Sequence, residues 1–179
     1  TAENKTYDGN TTANVTLTLS GVIDGETVTS TNSSTFDDKD VNSGKTVTVN
    51  SITLNDTNYS ISSGQTTTAD ITAKALSATA LAENKTYDGN TTANVTLTLS
   101  GVIDGETVTS TNSSTFDDKD VNSGKTVTVN SITLNDTNYS ISSGQTTTAD
   151  ITAKALSATA LAENKTYDGN TTANVTLTS

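Results

Sequence analysis

The chain contains no histidine, cysteine, methionine, tryptophan, proline or arginine in 179 residues. Without imidazole or thiol it lacks the general base and the nucleophile most used near neutral pH, so no enzyme is expected. Without cysteine no disulfide can staple a small fold, and each domain must stand on its own modest core. Aromatics make up only 4% of residues, too few to build the stacking platforms of a sugar cleft around a pair of catalytic carboxylates. Only 9 basic residues oppose 20 acidic ones, for a net charge of -11. That balance repels phosphate backbones and anionic lipid, so nucleic acid is not an expected partner. No apolar run approaches the roughly 20 residues a spanning helix needs, and no insertion into a membrane is expected within this segment. No charged-then-apolar leader precedes Thr1, which reads as the start of a mature fragment taken from a longer array.

What is present is Thr, Ser and Asn, with Val, Ile, Leu and Tyr spread through short alternating runs. That pattern favours folded β structure over disorder. A verbatim repeat organises it: Ala2–Thr98 recurs unchanged at Ala82–Thr178, a period of 80 residues. A period this long is a whole small domain and not a turn of a solenoid. The expected units are residues 1–74, a first repeat domain lacking its first strand; 75–154, a second; and 155–179, the N-terminal strands of a third, incomplete one.

Within the central unit, "NVTLTLS" alternates Val95, Leu97 and Leu99 against Thr, the period of a half-buried strand. "SGVIDGET" reads as a turn with Val102 and Ile103 as an apolar plug. "TVTSTNSSTF" is expected to be a polar edge strand, and "DDKDVNSGK" a loop. "KTVTVNSITLND" is the strongest strand, but its apolar parity slips from Val127 and Val129 to Ile132 and Leu134, which calls for a bulge near Asn130–Ser131. Around Lys154 one extended stretch leaves a domain and enters the next, with almost no slack in the linker. No segment has helical periodicity. The expected fold is all-β: tandem small β-sandwich domains of immunoglobulin type in an elongated array, with repeats built on a β-grasp-like mixed sheet as the alternative.

Tyr87-Asp88-Gly89, with its copies Tyr7-Asp8-Gly9 and Tyr167-Asp168-Gly169, reads as a structural turn. Gly takes positive φ freely, Asp can bond its own backbone, and the tyrosine is expected to bury its ring while its hydroxyl reaches main chain. Asp117, Asp118 and Asp120, with Asp104 and Glu106 elsewhere, are oxygen donors of the kind calcium takes, though their spacing fits neither an EF-hand nor a glycine-rich nonapeptide loop and an ordinary solvated loop is favoured. No other cofactor is indicated. Asn84, Asn90, Asn94, Asn112, Asn135 and Asn138 each open an Asn-x-Ser/Thr acceptor, with compositional coincidence the favoured reading. Rows of Thr in "TLTLS", "TVTVN" and "TTTAD" could order ice or sugars, but outward-facing strand residues account for them.

Three ordered blocks, "ENKTYDGNTTANVTLTLSG", "STFDDKDVNSGKTVTVNSITL" and "NYSISSGQTTTADITAK", cover essentially the whole chain, and the chain resembles the YDG/MBG repeats of bacterial surface proteins. Ala153 stands where those repeats often carry proline. The resemblance implies an immunoglobulin-like module of secreted adhesins or haemagglutinin-like exoproteins, located outside the cell or on the bacterial surface. The expected function is a non-catalytic stalk or spacer that projects a distal binding region, with neighbouring repeats of the same chain as partners. A self-assembling filament in which copies of the chain exchange strands is one alternative. A carbohydrate-binding module is another.

Overall fold

The computed structural model describes residues 1–178, all but the last residue of the 155–179 segment. These residues form an all-β structure without a helix, so none is present that is long and apolar enough to cross a membrane. In chain order the strands are β1 (Lys5–Thr6), β2 (Thr12–Ala13), β3 (Ser30–Phe36), β4 (Asn42–Leu54), β5 (Thr66–Thr72), β6 (Lys74–Ala82), β7 (Lys85–Thr86) and β8 (Thr92–Ala93). There follow β9 (Val95–Ser100), β10 (Ser110–Phe116), β11 (Asn122–Leu134), β12 (Tyr139–Ile141), β13 (Thr146–Thr152), β14 (Thr159–Ala162) and β15 (Val175–Thr178).

The period appears directly in the pairing. One five-stranded sheet has the order β1-β5-β4-β3-β2 and its copy 80 residues on is β7-β13-β11-β10-β8. Both are mixed sheets: the first strand pairs in parallel with the last, Lys5 beside Ile71 and Lys85 beside Ile151, while the rest is antiparallel. The second repeat adds a three-stranded sheet, β12-β6-β9. Strand β10, expected at an edge, lies inside its sheet, because the two-residue strand β8 covers its outer side at Ser114 and Thr115. The loop expected over "DDKDVNSGK" is also shorter than read, since β11 already begins at Asn122. The parity slip has its bulge: Ser113 faces Ser131 and Ser114 faces Val129, so Asn130 is the extra residue. That residue lets Val127 and Val129 face the core, fully buried, while Ile132 reaches the same side from the other parity.

Strand β6 does not extend β5. A single residue, Ala73, separates them, and β6 enters the sheet of the second repeat between β9 and β12. Its Leu76 is buried in a cluster that also holds Tyr7, Phe36, Val47, Val49 and Ile71 of the first repeat and Tyr139 of the second. One apolar cluster therefore crosses the boundary between repeats, and a second lies within the second repeat.

Candidate functional site at the repeat junction

The YDG stretch is folded around an ammonium group. Lys5 Nζ donates to Asp8 Oδ1 (2.7 Å), Asn10 O (2.8 Å), Asn10 Oδ1 (3.2 Å) and Thr12 O (3.1 Å), and sits 5.5 Å above the Phe36 ring. Asp8 Oδ1 accepts from Asn10 N, Asn10 Oδ1 from Thr12 N, and Gly9 turns the chain at φ +80. Four oxygens and an aromatic face surround one cation, as a metal-binding loop would surround its ion. Lys85 and Lys165 repeat the arrangement with Asp88, Asn90 and Asp168, Asn170. The lysine beside Asp88 holds that carboxyl below its usual range.

So braced, the first tyrosine leaves its own repeat. Tyr7 N is tied to Thr72 O at 2.8 Å, and the ring is 2% exposed. Its hydroxyl does not reach main chain as expected. It donates to Glu106 Oε1 of the second repeat at 2.6 Å, while Tyr139 OH donates to Oε2 at 2.5 Å and Lys39 Nζ to Oε1 at 2.9 Å. Tyr7 and Tyr139 meet edge to face, centroids 5.4 Å apart, and Lys39 lies over the Tyr7 ring. The carboxylate thus collects three donors, from Tyr139, Tyr7 and Lys39 in order of effect, and its pKa falls to about 2. Burial and then Glu106 push the Tyr7 phenol up, so it stays a neutral donor. A second clasp lies alongside: Asn138 accepts from Val41 N (2.8 Å) and donates to Asp40 Oδ1 (3.0 Å).

Because the repeats are identical in sequence, each junction residue has a copy that lacks this neighbour. Tyr7 is 2% exposed, Tyr87 half-buried and Tyr167 93% exposed. Val41 is half-buried where Val121 is 51% exposed, and Ile103 is half-buried where Ile23 is 65% exposed. Tyr59 already bonds Glu26 in the first repeat, so the tyrosine–glutamate half of the clasp forms without the tyrosine and lysine of another repeat.

The other candidate residues serve local structure. Asp117 and Asp118 converge, but on the buried ammonium of Lys125, at 3.0 and 2.7 Å. Asp118 is the main cause of that lysine's raised pKa. Asp120 donates its N–H to Asp118, and no group of three or more potential metal ligands occurs among the described residues. Each acceptor asparagine is already engaged. Asn84 takes the N–H of Asp150, Asn90 that of Thr92, and Asn135 that of Thr109. Asn94 binds Glu83, Asn112 the Val95 carbonyl, and Asn138 the clasp.

In the sequence Asn138 stands out only as an Asn-x-Ser/Thr acceptor and Glu106 only as a calcium-type oxygen donor, and nothing marks Lys39. The available signal was the turn "GVIDGE", where two apolar residues stand beside an acid in an otherwise polar loop.

The YDG domain, as a protein-family model, matches residues 1–69 and 72–149. The chain belongs to the YDG domain family. No curated protein and no solved structure matches it. Both matched segments of the YDG domain contain one copy of the lysine-centred loop, and the break between them, residues 70–71, falls near the end of β5.

Proposed function

We propose that this chain is a non-catalytic spacer: tandem immunoglobulin-like sandwich modules in the stalk of a secreted or surface-bound bacterial adhesin, projecting a distal binding region outside the cell. The observation that carries the reading is the junction, where one residue, Ala73, links two repeats and Tyr7 of one is clasped by Glu106 and Tyr139 of the next. A flexible tether would leave such polar groups in water. Here they fix the angle between neighbours, so that length grows with repeat number. The Glu106 carboxylate is engaged by three donors, which leaves it no role as an acid or base. From Lys74 to Lys85, which lies beside Ile151 near the exit of the repeat, eleven residues at roughly 3.3 Å give a rise of about 36 Å. Small-angle scattering on two, four and six repeats tests this. The maximum dimension should grow by about 35–45 Å per repeat, and a compact particle that does not lengthen in proportion refutes it.

One observation favours a second reading, a filament of strand-exchanging copies. Lys154–Ala162 copies β6 verbatim, yet Leu156 is 89% exposed where Leu76 is 8% exposed. Residues 16–20 and 59–61 copy strand-forming segments of the second repeat but form no strand. Residues 154–162 of one copy match those segments of another, with Thr159–Ala162 exchanging its present partner β15 for them. Light scattering that stays monomeric at high concentration removes this reading.

A further inference from the structure

We infer that each repeat is a load-bearing unit whose entry strand and exit strand form a shear clamp, braced from outside by the tyrosine of the YDG loop; the inference rests on the spacer reading. In a chain pulled at its ends, load enters the second repeat at Lys74 and leaves at Thr152. Entry strand β6 is held along its whole length, by three parallel pairs to β12 (Lys74 to Tyr139 through Leu76 to Ile141) and six antiparallel pairs to β9 (Ser77 to Ser100 through Ala82 to Val95). Its continuation β7 lies parallel to exit strand β13, Lys85 beside Ile151 and Thr86 beside Thr152. Three further bonds reinforce that contact: Asp150 N to Asn84 Oδ1 at 2.7 Å, Tyr87 N to Thr152 O at 2.8 Å, and Thr152 Oγ1 to Lys85 O at 3.3 Å.

Parallel first and last strands cannot be peeled by a pull on the chain ends. The pull drives β7 and β13 past each other along their length, across hydrogen bonds that lie transverse to the motion and must fail together. Strand β6 meets the same condition against both neighbours. No slack relieves it, since Ala73 alone joins β5 to β6. The first repeat has the same clamp, β1 beside β5, and there the brace is visible: Tyr7 N bonds Thr72 O, the last residue of β5, while the Tyr7 ring is gripped by the second repeat. Loss of the junction therefore removes support from the clamp behind it, and the clasp is the first element to yield.

Single-molecule force spectroscopy on the full chain with terminal handles tests this. Unfolding of the central repeat, 79 residues from Lys74 to Thr152, should release about 220–250 Å of contour length in one step. The same chain held instead through Thr111→Cys and Thr133→Cys is loaded across a single exposed pair of the β10–β11 ladder. It should open at a severalfold lower force, and the absence of native cysteine makes the attachment unique. Asn84→Ala, which removes one clamp bond without touching the core, should lower the force only in the end-to-end geometry. Matching circular dichroism and melting temperature show that each variant is folded. Equal unfolding forces in the two geometries overturn the clamp. An array that lengthens in scattering but shows equal forces keeps the spacer and loses only the clamp.

Discussion

Replacing Tyr7 and Tyr87 by alanine, one at a time, isolates the junction, because the two residues have the same neighbours in sequence and differ in whether a repeat follows in contact. Tyr7 is 2% exposed and packs on Tyr139, Leu76 and the first core, whereas Tyr87 is half-buried against the second core only. Truncating a fully buried aromatic costs about 3–5 kcal/mol. Tyr87 keeps most of its burial within its own repeat, so Tyr87→Ala is expected to cost less only by the part of the ring left in water, about 0.5–1.5 kcal/mol. That difference is the share of stability that the first repeat receives through its neighbour. Equilibrium urea unfolding of the 179-residue chain by far-UV circular dichroism measures both. Tyr7→Phe should retain most of the ring packing and lose only the Glu106 bond, so its cost falls below that of Tyr7→Ala. If Tyr7→Ala and Tyr87→Ala cost the same, the ring is a turn residue of its own repeat and the junction contributes nothing.

Three further outcomes follow from the same geometry. Glu106, with its folded pKa lowered to about 2, adds stability that is complete above the ordinary glutamate range and lost as pH falls through that range toward 2. Acid titration should therefore loosen the junction of the wild-type chain, and Glu106→Gln should remove that part of the pH dependence while the paired aspartates keep theirs. Lys85→Met leaves Asn90 O, Thr92 O and Asp88 without their shared donor. It should lower stability by about 1–3 kcal/mol in urea melts, with Lys85→Arg no full rescue because a planar fork cannot meet acceptors gathered on one point. Gly89→Ala meets no atom within 4 Å and tests only the backbone at φ +85, so a loss of about 1–2 kcal/mol is expected, less for Gly89→Asn.

Period and alternation were legible in the sequence because they are local properties. Val127 and Val129, then Ile132, announce a strand that changes face, and the bulge at Asn130 is the only cheap way to allow it. The position of Ser110–Phe116 was not legible, since its covering partner is two residues long and has no pattern to detect. The parallel pairing of first and last strands was equally hidden, because it joins segments some 66 residues apart. Glu106 could not be assigned from its own repeat at all. Its partners Tyr7 and Lys39 lie 99 and 67 residues away, in a module whose identical sequence gives no hint of which copy meets which.

Identity between copies also exposes how much of the fold belongs to the neighbour and how much to the repeat. "VTLTLS" is strand β9 at Val95–Ser100 beside β6, but the same six residues at 15–20 form only an isolated bridge from Val15 to Ala2. "YSI" is strand β12 at Tyr139–Ile141 and irregular at 59–61. The five-stranded sheets, by contrast, are the same in both copies down to the register shift. One layer is therefore specified within the repeat, and the other depends on the strand that crosses from the repeat before it. Stability in such an array is a sum of intrinsic terms and nearest-neighbour terms. The YDG loop supplies the second kind, and its turn does not need the junction: Lys165 still binds Asp168 Oδ1, Asn170 O and Asn170 Oδ1 beside a Tyr167 that is 93% exposed. With the turn already formed, docking has mainly the tyrosine side chain left to order, which limits the conformational entropy a junction costs.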